Sequence, residues 1–315
     1  MVSQYDRARY EDHVKRTKRS QSVLTSDLNE TIRRTMDSCQ IDSESWVAKY
    51  AGSERITLAD ARRVAHSSDI QALSRKAEYY VSNRSDKAIA FSPKANREMR
   101  EYNYSMRMSR MDLLQENLML NLYGMADELS VKTGNYLLRE TMEEMRRQAG
   151  ILGETIPSAE RLRSQAETIV SASFHDTDFS YKIWDNMDAL RGNLNEGLRR
   201  SLMMGQHPTK WMSNMRDLFT EQFFGTHDKG GMDYAMKRIA VTETARVQVA
   251  SQMASYRTAG YTHLEIITEA SACEEICLPL DGKVKEIQTA MMGEDVPPFH
   301  PNCRCGTGVL SHRKV

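Results

Sequence analysis

Glycine and proline are distributed very unevenly along the chain, and this constrains the fold more than any other feature. Residues 1–272 contain 12 Gly and 3 Pro, whereas residues 273–315 contain 4 of each. Because both residues interrupt regular helices, their scarcity upstream predicts a long helical region. Their concentration downstream predicts loops and short extended segments. We therefore predict a mainly α protein, with an extended helical body and a small C-terminal α+β module rich in cysteine.

Apolar residues recur at helical spacing through much of the body. The longest such stretch is 94–132, which Pro93 is predicted to open and Gly134-Asn135 to end. Its apolar face is formed by Met111, Leu114, Leu118, Leu122, Met125 and Leu129. Further helices are predicted over 26–38, 57–81, 136–148, 181–204, 210–224 and 232–259, with Ser26 or Asp27, Thr57 or Asp60, and Thr209 as capping residues. Short strands are predicted over 264–268, 284–287 and 308–310.

The first twenty residues carry six Lys or Arg against three Asp or Glu and show no clean apolar stripe. This composition predicts a basic arm that is solvated or frayed, and contact with DNA or with a partner is the alternative. For that alternative, the candidate nucleic-acid-binding residues are Arg7, Arg9, Lys15, Arg16, Lys18 and Arg19.

The overall charge is balanced, with 43 Lys plus Arg and 43 Asp plus Glu, which excludes a bulk polycation such as a histone-like protein. The sequence has no stretch of roughly 18 apolar residues and no apolar leader near its start. We therefore expect a soluble chain, made in a reducing cytoplasm and without a membrane partner.

Four of the five cysteines lie within 33 residues near the end of the sequence, together with one histidine: Cys273, Cys277, His300, Cys303 and Cys305. Thiolate and imidazole are the ligands that zinc prefers, and two short ligand pairs separated by a longer loop can enclose a tetrahedral site. We predict structural zinc, held by Cys273, Cys277 and Cys303 with His300 or Cys305 as the fourth ligand. Metal-free thiols packed as small apolar groups, or disulfides, are the alternatives. Cys39 stands alone and is predicted to be buried.

Two further features of the module are structural. Asp281-Gly282 has the composition of a tight hairpin turn. The prolines at 297, 298 and 301 are predicted to stiffen the segment that presents His300 and Cys303.

The sequence contains no close match to an enzyme motif. His263-Leu-Glu265 superficially resembles part of a zinc deaminase signature, but only nine residues separate His263 from Cys273. Glu265 is therefore predicted to be a solvent-facing strand residue, and Glu243 an acidic residue near a helix start. The sequence contains no Walker A, G-x-G-x-x-G, G-x-S-x-G or H-E-x-x-H motif. We expect a protein that is not an enzyme.

The motifs C-x3-C, L-D-G-K, P-P and H-P-N-C-R-C occur in this order over 273–305. This arrangement closely resembles the C-terminal signature of the phage Mu F-like head morphogenesis proteins, which are minor head proteins of tailed bacteriophages. FSYKIWDNM from Phe179 and RIAVTETAR from Arg238 match upstream, so the resemblance extends over about 180–312. We accordingly divide the chain into a helical N-terminal region over 1–180 with the basic arm at 1–20, the helical part of the Mu F-like domain over 181–262, and the cysteine-rich module over 263–315.

The resemblance implies a few copies per particle in the virion interior near the portal vertex, after assembly in the host cytoplasm. The implied partners are the portal protein, the major capsid or scaffolding proteins and viral DNA, and a homo-oligomer is left open. The implied roles are head morphogenesis and the handling of DNA in packaging or ejection. The sequence departs from the family in having C-x3-C where C-x2-C is commoner. Some relatives carry an enzymatic domain after the signature; because ten residues follow Cys305 here, we expect no such domain. A zinc-containing nucleic-acid-binding protein is the alternative function.

Overall fold

The fold is built mainly from helices, with one small sheet near the end of the chain, as predicted. The computed structural model describes residues 2–52, 54–82, 108–227 and 229–310. The predicted helix start at Pro93, and most of the first half of the predicted helix 94–132, lie outside the described residues. The helices within the described ranges are α1 Gln4–Tyr50, α2 Leu58–Ala61, α3 Ser67–Ser82, α4 Arg110–Leu152, α5 Ala159–Ser171, α6 Phe179–Met203, α7 Pro208–Phe224 and α8 Met232–Thr258.

Helix α1 is continuous over 47 residues, so the predicted helix start at Ser26 or Asp27 is wrong. Residues 4–20 are also not a frayed arm, because they form the first turns of this helix. Their buried face is periodic but partly polar, and for that reason a search for apolar residues misses it. The buried residues at helical spacing are Tyr10, His13, Val14, Thr17, Gln21, Leu24 and Leu28.

Helix α4 runs without interruption through Gly134-Asn135, where the sequence predicts a break. A Cβ atom at Gly134 would lie 3.1 Å from Cζ of Phe179. The glycine therefore allows close packing of an aromatic ring and does not end the helix. The apolar stripe predicted from Met111 to Leu129 is confirmed, since all six of its residues are buried.

The predicted helix 57–81 is two helices, α2 and α3. Thr57 caps α2 as predicted, by accepting a hydrogen bond from the backbone N–H of Asp60 at 3.1 Å. Between the helices, the backbone pairs with the residues just before α4: the N–H of Ala65 donates to the carbonyl of Met108, and that of Arg110 to the carbonyl of Arg63. This pairing replaces helical hydrogen bonds and separates the two helices.

Helix α5 has no counterpart among the predicted helices. Ser158 caps it, and Leu162, Ala166 and Val170 form its buried face. The cap of α7 also differs from the prediction, since His207 and not Thr209 is the capping residue, and Pro208 occupies the first helical position. Gly205 has φ of 59° and ends α6, as predicted.

The sheet consists of β1 His263–Ile267, β2 Val284–Glu286 and β3 Gly306–Val309, in the antiparallel order β2-β1-β3. The three predicted strands are therefore confirmed. A 3₁₀ helix over Leu278–Leu280 leads into the turn before β2. Gly282 lies in that turn with φ of 73°, and its N–H donates to the carbonyl of Ile266 at 3.0 Å.

Two compact units divide the chain. The first unit comprises Met1–Ser26, Lys132–Lys182 and Met236–Val315, and the second comprises Asp27–Val131 and Ile183–Ala235. Each unit combines separate stretches of sequence, so these units do not coincide with the predicted regions 1–180, 181–262 and 263–315. In the described part of the chain, no helix is long and apolar enough to cross a bilayer.

Candidate metal centre

The strand pairing of the first unit brings the cysteine segments together. Strands β1 and β3 are antiparallel neighbours, and Ile267 at the end of β1 pairs with Gly306 at the start of β3. The segment that follows β1 carries Cys273 and Cys277, and the segment that precedes β3 carries His300, Cys303 and Cys305. The two segments therefore leave the sheet at the same end, and their donors converge there.

The five predicted donors form one cluster. Nε2 of His300 lies 3.3 Å from Sγ of Cys273 and 3.1 Å from Sγ of Cys277. Sγ of Cys277 lies 3.9 Å from Sγ of Cys303. The sulfur atoms of Cys277, Cys303 and Cys305 all lie within 4.8 Å of one another, and the cysteines are free thiols.

The ring of His300 has a fixed orientation. Its Nδ1 lies 2.8 Å from the carbonyl oxygen of Pro301. Because a carbonyl oxygen only accepts hydrogen bonds, Nδ1 carries the proton and donates it. Nε2 then presents a lone pair towards the sulfur atoms, as the imidazole of a metal ligand does.

The protonation of the four thiols is uneven. A hydrogen bond from the thiol of Cys305 lowers the pKa of Cys303 to about 6, whereas burial raises the pKa of Cys277 to about 12. The bond to Cys303 also raises the pKa of Cys305. Desolvation opposes ionisation of Cys273, but the backbone N–H of Cys277, which donates to Cys273 Sγ at 3.4 Å, contributes to a lowered pKa of Cys273. The surroundings thus favour thiolate, the metal-binding form of cysteine, at Cys273 and Cys303 and disfavour it at Cys277 and Cys305.

These donors could hold a metal ion. The isolated Cys39 is not among them; it is fully buried in the second unit, as predicted, and burial raises the pKa of its thiol to about 12.

One family model matches this part of the chain. Residues 193–307 match the phage Mu protein F like protein family. The matched range, called the Mu F-like region below, includes all five donors and confirms the resemblance over slightly narrower bounds than predicted. The comparisons with curated proteins and with solved structures gave no match.

The start of α1 packs on the sheet of the Mu F-like region through Glu265. The sequence predicts a solvent-facing Glu265, and this is wrong, because the residue is completely buried. Its Oε1 accepts from Nη2 of Arg7 at 2.8 Å, and its Oε2 accepts from the backbone N–H of Val2 at 2.7 Å. Arg7 also binds Asp281 in the turn before β2, at 3.0 Å. The strand itself is as predicted, but its burial does not alternate, since Leu264, Glu265, Ile266 and Ile267 are all buried.

The basic residues proposed for nucleic-acid binding mostly have carboxylate partners. Arg7 and Lys18 bind Glu265 and Glu269 of the Mu F-like region, at 2.8 and 2.6 Å. The remaining pairs are Arg9 with Asp6, Lys15 with Asp12, and Arg16 with Glu140 and Glu143, while Arg19 is exposed.

Gly306, the first residue of β3, is in close contact with α1. A Cβ atom at Gly306 would lie 2.5 Å from Cε2 of Tyr10, whose hydroxyl donates to the carbonyl of Arg304 at 2.7 Å. We expect Gly306→Ala to lower the free energy of unfolding by about 1–3 kcal/mol through overpacking, as measured by urea denaturation. In a Tyr10→Ala background the same substitution should cost much less. Equal costs in both backgrounds would show that the ring does not limit this position.

A buried histidine on α1 makes stability depend on pH. Burial lowers the pKa of His13 to about 4, so the folded chain keeps this ring neutral while the unfolded chain protonates it below pH 6.5. Because the unfolded state then binds more protons, stability should fall by roughly 3 kcal/mol as the pH drops from about 6.5 to 4. Denaturation measured across this range should show the loss in wild type and a flatter profile in His13→Gln. A wild-type profile in His13→Gln would contradict the assignment.

Helix α8 contains a buried carboxylate, Glu243, whose burial is not apparent from the sequence. Glu243 is predicted near a helix start, but it lies in the middle of α8 and is buried, with its carboxylate 2.6 Å from Lys182 and 2.5 Å from Arg246. Arg246 also donates to the carbonyls of Ile169 and Val170 at 2.9 and 3.0 Å. These carbonyls belong to the last turn of α5, so the network fixes the end of that helix on α8.

Proposed function

We propose that this protein is a minor head protein of a tailed bacteriophage that acts in head morphogenesis. The family match over residues 193–307 carries the proposal. The finer assignment is a few copies in the virion interior near the portal vertex, bound to the portal protein and to the inner capsid or scaffolding proteins, with a role in DNA packaging or ejection.

An architectural role, without catalysis, is part of this proposal. The buried carboxylates Glu144, Glu243 and Glu265 are all engaged by basic or amide side chains, as in structural networks. A cleft in the first unit, lined by Arg9, Tyr10 and Arg147 among others, measures about 200 Å³. This is smaller than the roughly 300–1,000 Å³ of most small-molecule sites.

The alternative function, nucleic-acid binding through the first helix, receives less support. Phosphate binding draws on cationic side chains that can replace the counterions of the nucleic acid. Five of the six candidate residues already neutralise carboxylates of the same unit, and two of these pairs hold α1 to the Mu F-like region. Engaging phosphate with Arg7 or Lys18 would require breaking the ion pairs that hold α1 to the Mu F-like region.

Co-expression with the portal and major capsid proteins of the same phage tests the proposal. We expect the full chain to co-sediment with procapsids when the portal protein is present, and its amount to fall strongly when the portal gene is left out. A chain that stays soluble and separate while normal procapsids form would overturn the assignment. Equal incorporation with and without portal would remove the portal vertex as its location.

A further inference from the structure

The cluster at the end of the sheet contains more donors than one tetrahedral ion needs, so geometry has to select among them. In a zinc site with Zn–S of about 2.3 Å and Zn–N of about 2.0 Å, sulfur–sulfur edges are about 3.8 Å and sulfur–nitrogen edges about 3.5 Å. The observed edges are 3.9 Å between Cys277 and Cys303, 3.3 Å between Cys273 and His300, and 3.1 Å between Cys277 and His300. These three edges join four residues.

Cys277 connects the two sides of the cluster. It is the shared member of the group with Cys273 and His300 and of the group with Cys303 and Cys305. An ion bound to Cys277 therefore has His300 and Cys273 on one side and needs a single further sulfur from the other side.

Cys303 is better placed than Cys305 to supply that sulfur. Its backbone N–H donates to the carbonyl of His300 at 3.1 Å, which closes the H-P-N-C turn and holds the two side chains as one unit. Asn302 in this turn has φ of 67°, and its N–H donates to Oγ1 of Thr242 on α8 at 3.0 Å. The turn is therefore anchored to a long helix. Cys305 lies directly before β3, and its sulfur atom lies within 4.8 Å of those of Cys277 and Cys303.

We propose that Cys273, Cys277, His300 and Cys303 bind one structural Zn²⁺, and that Cys305 lies beside the site without ligating the ion. The four positions are filled by the protein, so the ion joins the segment after β1 to the segment before β3 and has no open position for a reacting water. Each ligand cysteine that is still a protonated thiol releases its proton to solvent when the ion binds. Cys273 and His300 are only partly buried, which leaves the ion a path of entry. The assignment rests on these contacts and does not depend on the proposed function.

Metal titration of variants in which one cysteine at a time is replaced, in the full, reduced chain, tests this ligand set. After chelation, wild type should bind one equivalent of Zn²⁺ in competition with a chromophoric chelator. We expect Cys303→Ser to weaken binding by more than about 100-fold, beyond the 10–100-fold typical of residues that only support a ligand. Cys305→Ser keeps a hydroxyl donor and should change the affinity by less than about tenfold. The distant Cys39→Ala is the matched control and should leave binding unchanged.

The absorption spectrum of wild type loaded with Co²⁺ reports the coordination geometry without relying on the stability of any variant. Wild type loaded with Co²⁺ should show the strong visible bands of a tetrahedral site and a thiolate-to-metal absorption that corresponds to three sulfur ligands. Loss of the ion in Cys305→Ser together with its retention in Cys303→Ser would overturn the ligand set. Wild type that binds no Zn²⁺ while all its cluster thiols react freely would overturn the site itself, as would weak octahedral Co²⁺ bands.

Discussion

Replacing Glu144 with alanine is expected to lower the free energy of unfolding by about 3–5 kcal/mol. Glu144 is completely buried, and its carboxylate accepts from Nε of Arg147 at 2.6 Å, Nε2 of Gln148 at 2.8 Å and Nε2 of Gln252 at 2.9 Å. Burial alone would raise its pKa, but the charge and hydrogen bonds of Arg147 contribute to lowering the pKa of Glu144 to about 2. The variant leaves the partly buried guanidinium of Arg147 without its counter-charge.

The neighbouring Glu143 provides a matched control for this experiment. It lies one residue away on α4 and pairs with Arg16 at the surface, where an ion pair contributes at most about 1 kcal/mol. Denaturation should be followed by circular dichroism, because the three tryptophans all lie in the second unit, outside the unit that contains Glu144. Similar losses in Glu144→Ala and Glu143→Ala would show that the buried network contributes no more than a surface pair.

Replacing Trp211 with alanine is expected to cost about 3–5 kcal/mol in the second unit. The indole is fully buried on α7, with its ring centre 5.8 Å from that of Trp46. Phe219 and Phe223 on the same helix are also fully buried. Removing the largest side chain of this core leaves a cavity that the surrounding helices can fill only partly, and urea denaturation should measure the loss.

Trp211→Phe separates the role of volume from that of the indole nitrogen. Nε1 of Trp211 is buried without a hydrogen-bond partner among the described residues. The phenylalanine variant removes this unsatisfied donor and keeps most of the ring, so its cost should stay below about 1.5 kcal/mol. A loss as large as that of the alanine variant would show that the indole makes a contact that packing does not describe.

Apolar periodicity predicts those elements whose buried face is apolar. The stripe from Met111 to Leu129 and the helix that ends at Gly205 are in this class. It fails where the buried face is polar. On α1, His13 and Thr17 interrupt the apolar pattern although both are buried. Thr17 is buried with its hydroxyl satisfied, because Nε2 of Gln248 on α8 donates to Oγ1 of Thr17 at 3.1 Å.

Local rules also fail where a distant residue decides the outcome. Glycine is typical of a helix break, but Gly134 lies inside α4 and allows the ring of Phe179 to pack closely against this helix. Glu265 lies at a position that the alternating pattern of the strand assigns to the surface. In the structure its carboxylate is bound by Arg7 and Val2, which lie more than 250 residues away in sequence. Neither partner can be identified from the residues that surround these positions.

The cysteine cluster was predictable because its chemistry is local. The residue types and their order over 273–305 select the donors, and the antiparallel pairing of β1 with β3 is sufficient to bring the two segments together. The sequence could not choose between His300 and Cys305 as the fourth ligand. The proton on Nδ1 of His300 and the turn that fixes Cys303 supply that choice, and both depend on three-dimensional contacts.

X-ray absorption of the zinc-loaded full chain tests most directly whether these donors form one closed centre. Our account predicts three sulfur neighbours at about 2.3 Å and one nitrogen neighbour at about 2.0 Å. A shell of oxygen neighbours with six-fold coordination would contradict it, because such an ion would be bound at the surface and would not join the two segments.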